Sequence, residues 1–198
     1  DEIEERLSVV NRPFTTPAVV SGFPRLWENL IPGARQVTDT ETLDLNEGAH
    51  DLVIHALALH WADDPVGQLV QCRRALAPDG LLICATFGGD TLRGLRHALA
   101  QAEAEVTGGL SPRVAPMGEV RDLGALLQRA GFALPVADTM PYDVSYENAF
   151  RLWADLRAMG ETNALAQRHR APPARALFLR AAELYAQAQG RADGRVGA

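Results

Sequence analysis

Three short stretches hold the residues whose types and spacing could do chemistry: VVSGFPRLW (19–27), LHWADDP (59–65) and FGGDTL (87–92). In the second, His60 could orient or deprotonate a substrate near neutral pH, and Trp61 could stack on a flat ligand. Packing at a strand end is the plainer role for that pair. In the third, Gly88 and Gly89 let a backbone approach closely, and Asp90 or Thr91 would cap a helix whose free N–H groups face a cleft. A glycine turn followed by an ordinary cap accounts for the same residues. The first stretch keeps a single glycine, Gly22, with Phe23 and Pro24 beside it. His55 and His60 are five apart, share no face of a strand or helix, and have no third ligand near in sequence, so they do not read as a zinc site. All 19 basic residues are arginine. That excludes a lysine Schiff base and the phosphate-binding lysine of a P-loop.

The elements that must position these residues follow from periodicity. DLVIHALAL (51–59) is an apolar run without helical spacing and predicts a strand buried on both faces. A helix follows, with Asp64 as its cap, Pro65 at its first position, and Val66, Leu69, Val70 and Leu76 on one stripe. Pro78-Asp79-Gly80 predicts a turn and LLICATF (81–87) a second buried strand, which completes a βαβ unit. Leu92, Leu95, Leu99 and Ala102 mark a helix from about Asp90 to Glu105; Val120, Leu123, Leu127 and Ala130 mark another over 119–130, ended by Gly131. The prolines at 135 and 141 punctuate extended chain, with a strand expected around 132–140. Helices over 147–159 and 173–188 close the chain. This predicts an α/β domain over 1–146, a mostly parallel Rossmann-like sheet with helices on both faces, and a helical segment over 147–198 packed on it. In such sheets ligands bind beyond the carboxyl ends of the strands, where the three opening stretches fall.

Composition narrows the function. The net charge is −6 with no run of like charges, which disfavours nucleic acid and anionic membrane surfaces as partners. No apolar stretch is long enough to span a bilayer, and the opening DEIEERLSVV is acidic where a signal peptide would be basic. Cys72 and Cys84 lie inside apolar patterns, far from any CxxC, as small buried hydrophobes of a reducing compartment would. A cytoplasmic protein is expected.

The succession DLVIHALALHWADDP, LAPDGLLICATFGGDTLRGLR, GGLSPRVAPMGEVRDLGALLQRAGF and DLRAMGETN resembles the class I S-adenosylmethionine-dependent methyltransferase superfamily. Within it the chain is similar to methyltransferase-like proteins of the complex I assembly factor 5 type and, more distantly, to the biotin-pathway enzyme that methylates a carrier-bound malonyl group. The resemblance covers about residues 50–196. It implies a seven-stranded, mostly parallel sheet and S-adenosylmethionine as cofactor, with Gly22, Asp39 and Leu59 on the cofactor side. His60, Trp61, Phe87, Gly88, Gly89, Asp90, Thr91, Arg113, Arg157, Glu161 and Asn163 fall on the acceptor or partner side. Asp39, in VTDTETLDL, matches the family position near the adenine.

Two departures from that pattern stand out. Members carry a D-x-G-x-G loop after the first strand, whereas VVSGFPRLW is degenerate. Only 28 residues separate Gly22 from Asp51, fewer than the 30 or so that one βαβ unit takes. A strand and a helix are therefore expected to be missing, and the ribose-holding carboxylate with them. The usual last strand is expected to be missing too, so the strand at 132–140 would present an edge open to a second copy of the chain. Three readings result: methyl transfer to a small-molecule or protein acceptor; a non-catalytic assembly or binding protein that keeps the acceptor-side cleft; and, distantly, protein arginine hydroxylation, for which no two-histidine, one-carboxylate triad is visible.

Overall fold

Alternate residues of three neighbouring strands bury on opposite faces, and this builds the sheet. Strands β1 (Pro17–Val20), β2 (Arg35–Val37), β3 (His50–Ala56) and β4 (Leu76–Ala85) pair in the order β2-β1-β3-β4, all parallel. These assignments come from a computed structural model, which describes residues 2–10 and 12–198. The opening residues form α1 (Glu2–Val9), while Asp1 lies outside the described residues.

Two compact units emerge, the first formed by residues up to Gly89 together with Gly118–Asp138, the second by Asp90–Met117 together with Thr139–Ala198. In the first unit one face of the sheet carries Val19, Leu52, Ile54 and Ala56, covered by Ile3 of α1 and by Ile31. The other face carries Ala18, Val20, Val53 and Leu82, covered by Cys72 and Ala75 of α3 (Pro65–Ala75) and by Leu126 and Leu127 of α5 (Val120–Arg129). Coverage on both faces is why these strands read as continuous apolar runs.

The predicted cap of α3 forms, with the Asp64 carboxylate accepting from the Gly67 N–H at 2.8 Å and Pro65 at the first helical position. Gly131 takes φ +85° just past the end of α5, a left-handed conformation that glycine adopts without cost. Two boundaries are corrected. The strand expected over 51–59 stops at Ala56, because Leu57 turns the chain with φ +49° and Leu59–Trp61 wind into a 3-10 turn. The turn at 78–80 lies inside β4, as an irregularity where His50 pairs with Leu76 but Leu52 with Leu81.

The expected seven strands are not all there. The sheet has four strands among the described residues, and residues 132–140 form no strand. Pro135 interrupts that segment, and Leu134 and Val136 are exposed with no ladder to join. The edge expected to pair with a second copy is thus not formed there.

In the second unit α4 (Arg93–Thr107), α6 (Ala149–Ala158) and α7 (Arg175–Gln189) share a core of Leu95, Leu99, Leu152, Leu177 and Tyr185. Where α4 meets α7, a Cβ on Gly94 would lie 2.7 Å from the end of the exposed Gln189 side chain. Two short strands, β5 (Ser145–Tyr146) and β6 (Val196–Gly197), pair antiparallel. The Tyr185 hydroxyl donates to the Gly197 carbonyl at 2.6 Å, tying α7 to that pair.

Candidate functional site

From β1 the chain crosses to β2 on one side, then returns past β1 to place β3 on the other. The order therefore reverses between β1 and β3, and a parallel sheet opens its ligand crevice outside the carboxyl ends at such a point. Gly22 follows β1 and Asp39 follows β2. The structure brings them together: a Cβ on Gly22 would lie 3.3 Å from one oxygen of the Asp39 carboxylate and 3.4 Å from the other. Between β1 and α2 (Pro24–Trp27) the loop is drawn in on itself, with the Ser21 hydroxyl accepting from the Phe23 N–H and the Trp27 indole N–H.

The loop beyond Asp39 is held by two glutamines of α3. Gln68 Nε2 donates to the Thr40 carbonyl at 3.1 Å, Gln71 Nε2 donates to the Glu41 carbonyl at 3.0 Å, and Gln71 Oε1 accepts from the Leu43 N–H at 2.8 Å. Behind this clamp sits His55, fully buried on β3, with Nε2 2.8 Å from Gln68 Oε1. Its other ring nitrogen, Nδ1, is buried without a partner among the described residues. Burial pushes this imidazole below its ordinary range, opposed by the bond to Gln68 and the nearby Asp39 charge. In the sequence His55 stands out only as one of two histidines, with His60, that share no face. The available signal was a lone polar residue inside an apolar strand whose neighbours on the same face pack on α3.

Across the switch point, Leu57 holds φ +49° with its N–H donating to the Ala85 carbonyl at 2.8 Å. A left-handed leucine is strained, and such strain gathers at ligand sites. It turns the chain so that His60 meets Trp61 and Phe87, with ring centroids 5.5 and 5.1 Å away. The Thr86 hydroxyl approaches His60 Nδ1 at 3.5 Å. Trp61 is the most exposed of the three rings, while Leu59 turns its side chain into the core against Leu69 and Ala130.

The glycine pair is explained by the protein's own chain. A Cβ on Gly88 would stand 3.0 Å from the Gly118 carbonyl oxygen and 3.2 Å from Leu123, and the Gly89 N–H donates to the same carbonyl at 2.8 Å. Gly88→Ala is therefore expected to destabilise the first unit by about 1–3 kcal/mol through overpacking against backbone, read as a drop in melting temperature. Asp90 and Thr91 do not cap α4. Leu92, in a left-handed conformation, precedes the first helical residue without a side-chain cap, and Asp90 instead pairs with Arg93 at 3.0 Å.

In the second unit Arg113 and Asn163 are drawn into one structure. Arg113 grips buried Glu103 with two bonds, Nε to Oε2 at 3.0 Å and Nη2 to Oε1 at 2.6 Å. Asn163 Nδ2 donates to the Pro112 carbonyl at 2.9 Å. Glu161 is half-buried in the turn after α6, its N–H donating to the Leu156 carbonyl, and Arg157 is exposed. Arg157→Ala is accordingly expected to change stability by no more than about 0.5 kcal/mol, measured by thermal melting. Cys72 and Cys84 are free thiols, both pushed up to about 12 by burial, and so stay protonated. Among the described residues no group of three or more His, Cys, Asp or Glu side chains could hold a metal ion. Among those same residues no helix is long and apolar enough to cross a membrane.

A methyltransferase-domain family model matches residues 25–84, the span from α2 to β4. The chain is 43% identical over 171 residues to the human protein named arginine-hydroxylase NDUFAF5, mitochondrial, covering 86% of this chain and 49% of that one. It is 35% identical over 147 residues to the malonyl-[acyl-carrier protein] O-methyltransferase of Xylella fastidiosa, covering 74% and 48%. A Bacillus halodurans structure of the methyltransferase fold superposes with a TM-score of 0.54 at 12% identity, over 97% of this chain and 85% of that one. The chain belongs to the class I methyltransferase superfamily. It spans about half the length of these curated relatives.

For Asp39 the strand order adds a neighbour to the sequence expectation. The resemblance places it near the adenine and assigns the ribose carboxylate to a missing strand. The structure sets β2 directly beside β1, so Asp39 follows the strand next to the glycine loop. Asp39 is the first acidic residue after that strand.

Proposed function

We propose that the first unit binds S-adenosylmethionine at its switch point and that the protein transfers a methyl group to an acceptor received beside His60, Trp61 and Phe87. The observation that carries this reading is the Asp39 carboxylate lying against the Cβ-free side of Gly22. The residues fit the nucleoside part of that cofactor. A carboxylate can accept from two ribose hydroxyls, and the glycine leaves the backbone open beside it.

Asp39 and the backbone at Ser21 and Gly22 would hold the group, and its sulfonium supplies an already activated methyl when bound. The chain's own task is alignment and exclusion of water rather than acid–base chemistry. His60, edge-on to Phe87 and backed by Thr86, is placed to orient a polar acceptor, and Trp61 to cover a flat one. The activities in the names of the relatives are those of chains about twice as long.

The test is calorimetric titration of the protein with S-adenosylmethionine and S-adenosylhomocysteine. Micromolar binding of both is expected, and absence of heat up to millimolar ligand would sink the reading. A second reading, a non-catalytic assembly or binding protein, is favoured by the Ser21 hydroxyl, which consumes the loop's own Phe23 N–H. Failure of the titration with retention of fold would move the search to protein partners, a second copy of the chain included.

A further inference from the structure

Charge is unevenly shared in the second unit. No acidic residue lies between Glu161 and Glu183, while Arg168, Arg170, Arg175 and Arg180 do, so the segment carries +4 in a chain whose net charge is −6. Two of these arginines are engaged. Arg180 pairs with Glu105 at 2.6 Å and with Glu183 at 3.0 Å, and Arg168 Nη1 donates to the Leu165 carbonyl at 3.0 Å, closing its own loop. Arg170 and Arg175 are exposed and make no ion pair or side-chain hydrogen bond among the described residues. Pro172 and Pro173 lie between them, and their fixed φ stiffens the stretch that carries both guanidiniums.

An aromatic surface adjoins this loop. Along α7, Arg175, Phe178 and Leu179 are spaced to share a face, and Leu179 is 45% exposed. Half-buried Phe178 meets Trp153 of α6 edge-on with ring centroids 5.4 Å apart, and Trp153 meets Phe150 in the same manner at 5.0 Å. Phe150 is 47% exposed. Leaving such rings and leucine against water forgoes the gain of burying them, and aromatic residues bordered by arginine are the composition of interface centres.

We propose that this face of the second unit, from Arg170 and Arg175 across Leu179 to Phe150, docks an acidic polypeptide segment with one apolar side. Its carboxylates would meet the two free guanidiniums, whose forked donors match carboxylate geometry, and its apolar side chains would cover Leu179 and the rings. Net charge selects this class of partner. A long polyanion or an anionic bilayer would reach past two arginines onto an acidic molecule, and screening extends only about 8 Å at physiological salt; a short acidic segment ends where the patch ends. A two-fold pairing of this face with its own copy would set arginine against arginine. The inference is independent of the cofactor reading and adds a partner surface to it.

The test is a titration followed by fluorescence anisotropy, with a labelled helical peptide that carries glutamate on one face and leucine on the other. Saturable binding below millimolar peptide is expected, weakening as salt is added. Arg170→Glu combined with Arg175→Glu should lower the affinity roughly tenfold, the scale of two exposed ion pairs, and a peptide with lysine in place of glutamate should prefer that double variant to the parent. Leu179→Ser should weaken binding with both arginines in place. Arg93→Gln, at an exposed arginine of the same unit that pairs with Asp90, should leave it unchanged. Absence of binding, or binding that the double reversal leaves intact, overturns the proposal. Polyglutamate binding as tightly as the two-faced peptide overturns it too, since the contact would then be one of charge alone. Tighter binding of duplex DNA or phosphatidylserine vesicles would assign the patch to another class of partner, and a dimer seen by light scattering that the double reversal dissolves would assign it to a second copy; either outcome sinks the proposal. Should the double variant not fold, the salt dependence of the parent and the Leu179→Ser result decide.

Discussion

Glu103→Ala should be among the most destabilising single substitutions in the second unit, costing about 3 kcal/mol and lowering the melting temperature by roughly 10 °C. Glu103 is 5% exposed, and its carboxylate accepts four hydrogen bonds: from the Ser111 N–H and hydroxyl, and from Nε and Nη2 of Arg113. Removing it strands a guanidinium that is itself largely shielded, with a side-chain exposure of 17%, and an uncompensated buried charge is the expensive half of a broken pair. Replacing both partners by methionine should recover most of the loss, because two apolar side chains leave no charge behind. Acid should act through the same group. Burial pushes the Glu103 carboxyl up, but the bonds from Arg113 and Ser111 outweigh that and hold it below the usual carboxylate range. A carboxyl depressed in the folded state contributes stability above its unfolded value, and that stability is lost as pH falls through the folded one. A flat melting-temperature profile through the acidic range, or a mild effect of Glu103→Ala, would refute this account.

The same cluster explains a residue that the sequence suggested for a different task. Arg113 stands in a narrow family stretch, GGLSPRV, where a cleft-facing cation is the natural guess. Its partner Glu103 sits on the polar-looking run AEAEVT near the end of α4, and nothing in sequence separates a buried glutamate from the solvated Glu105 two residues on. Periodicity located α3, α5, α6 and α7 and both buried strands, because each of those signals is local: the Asp64 cap, the stripes at helical spacing, the Gly131 stop. Residues 132–140 failed because an apolar, proline-marked stretch is a strand only if a neighbour supplies its ladder, and none does. The His60–Trp61–Phe87 group was legible, since all three flank strand ends. The pairing of Gly22 with Asp39, and the approach of Gly118 to Gly88, depend on which strand lies beside which and on where distant loops pass. That information is held by no short window of the chain.

Asp39→Asn should separate binding from folding. None of the hydrogen bonds that fix the 40–43 loop uses the Asp39 carboxylate; they run through Gln68, Gln71 and backbone carbonyls and amides. Stability should therefore change by no more than about 0.5 kcal/mol. Affinity for S-adenosylhomocysteine should fall far more. Hydrogen bonds to a charged acceptor contribute about 1.5–3 kcal/mol each, so losing the charge at the ribose should cost on the order of 10- to 100-fold in Kd. Gly22→Ala approaches the same point without touching the carboxylate. Its new Cβ would stand 3.3 Å from an Asp39 oxygen, tight enough to push a flexible side chain aside, and φ at Gly22 is not in the left-handed region, so the backbone adds no strain of its own. The two variants should weaken the ligand by different routes while melting within a few degrees of the parent. If Asp39→Asn binds S-adenosylhomocysteine as the parent does, the carboxylate is an ordinary acidic turn residue, and the ribose must be held elsewhere along the carboxyl edge.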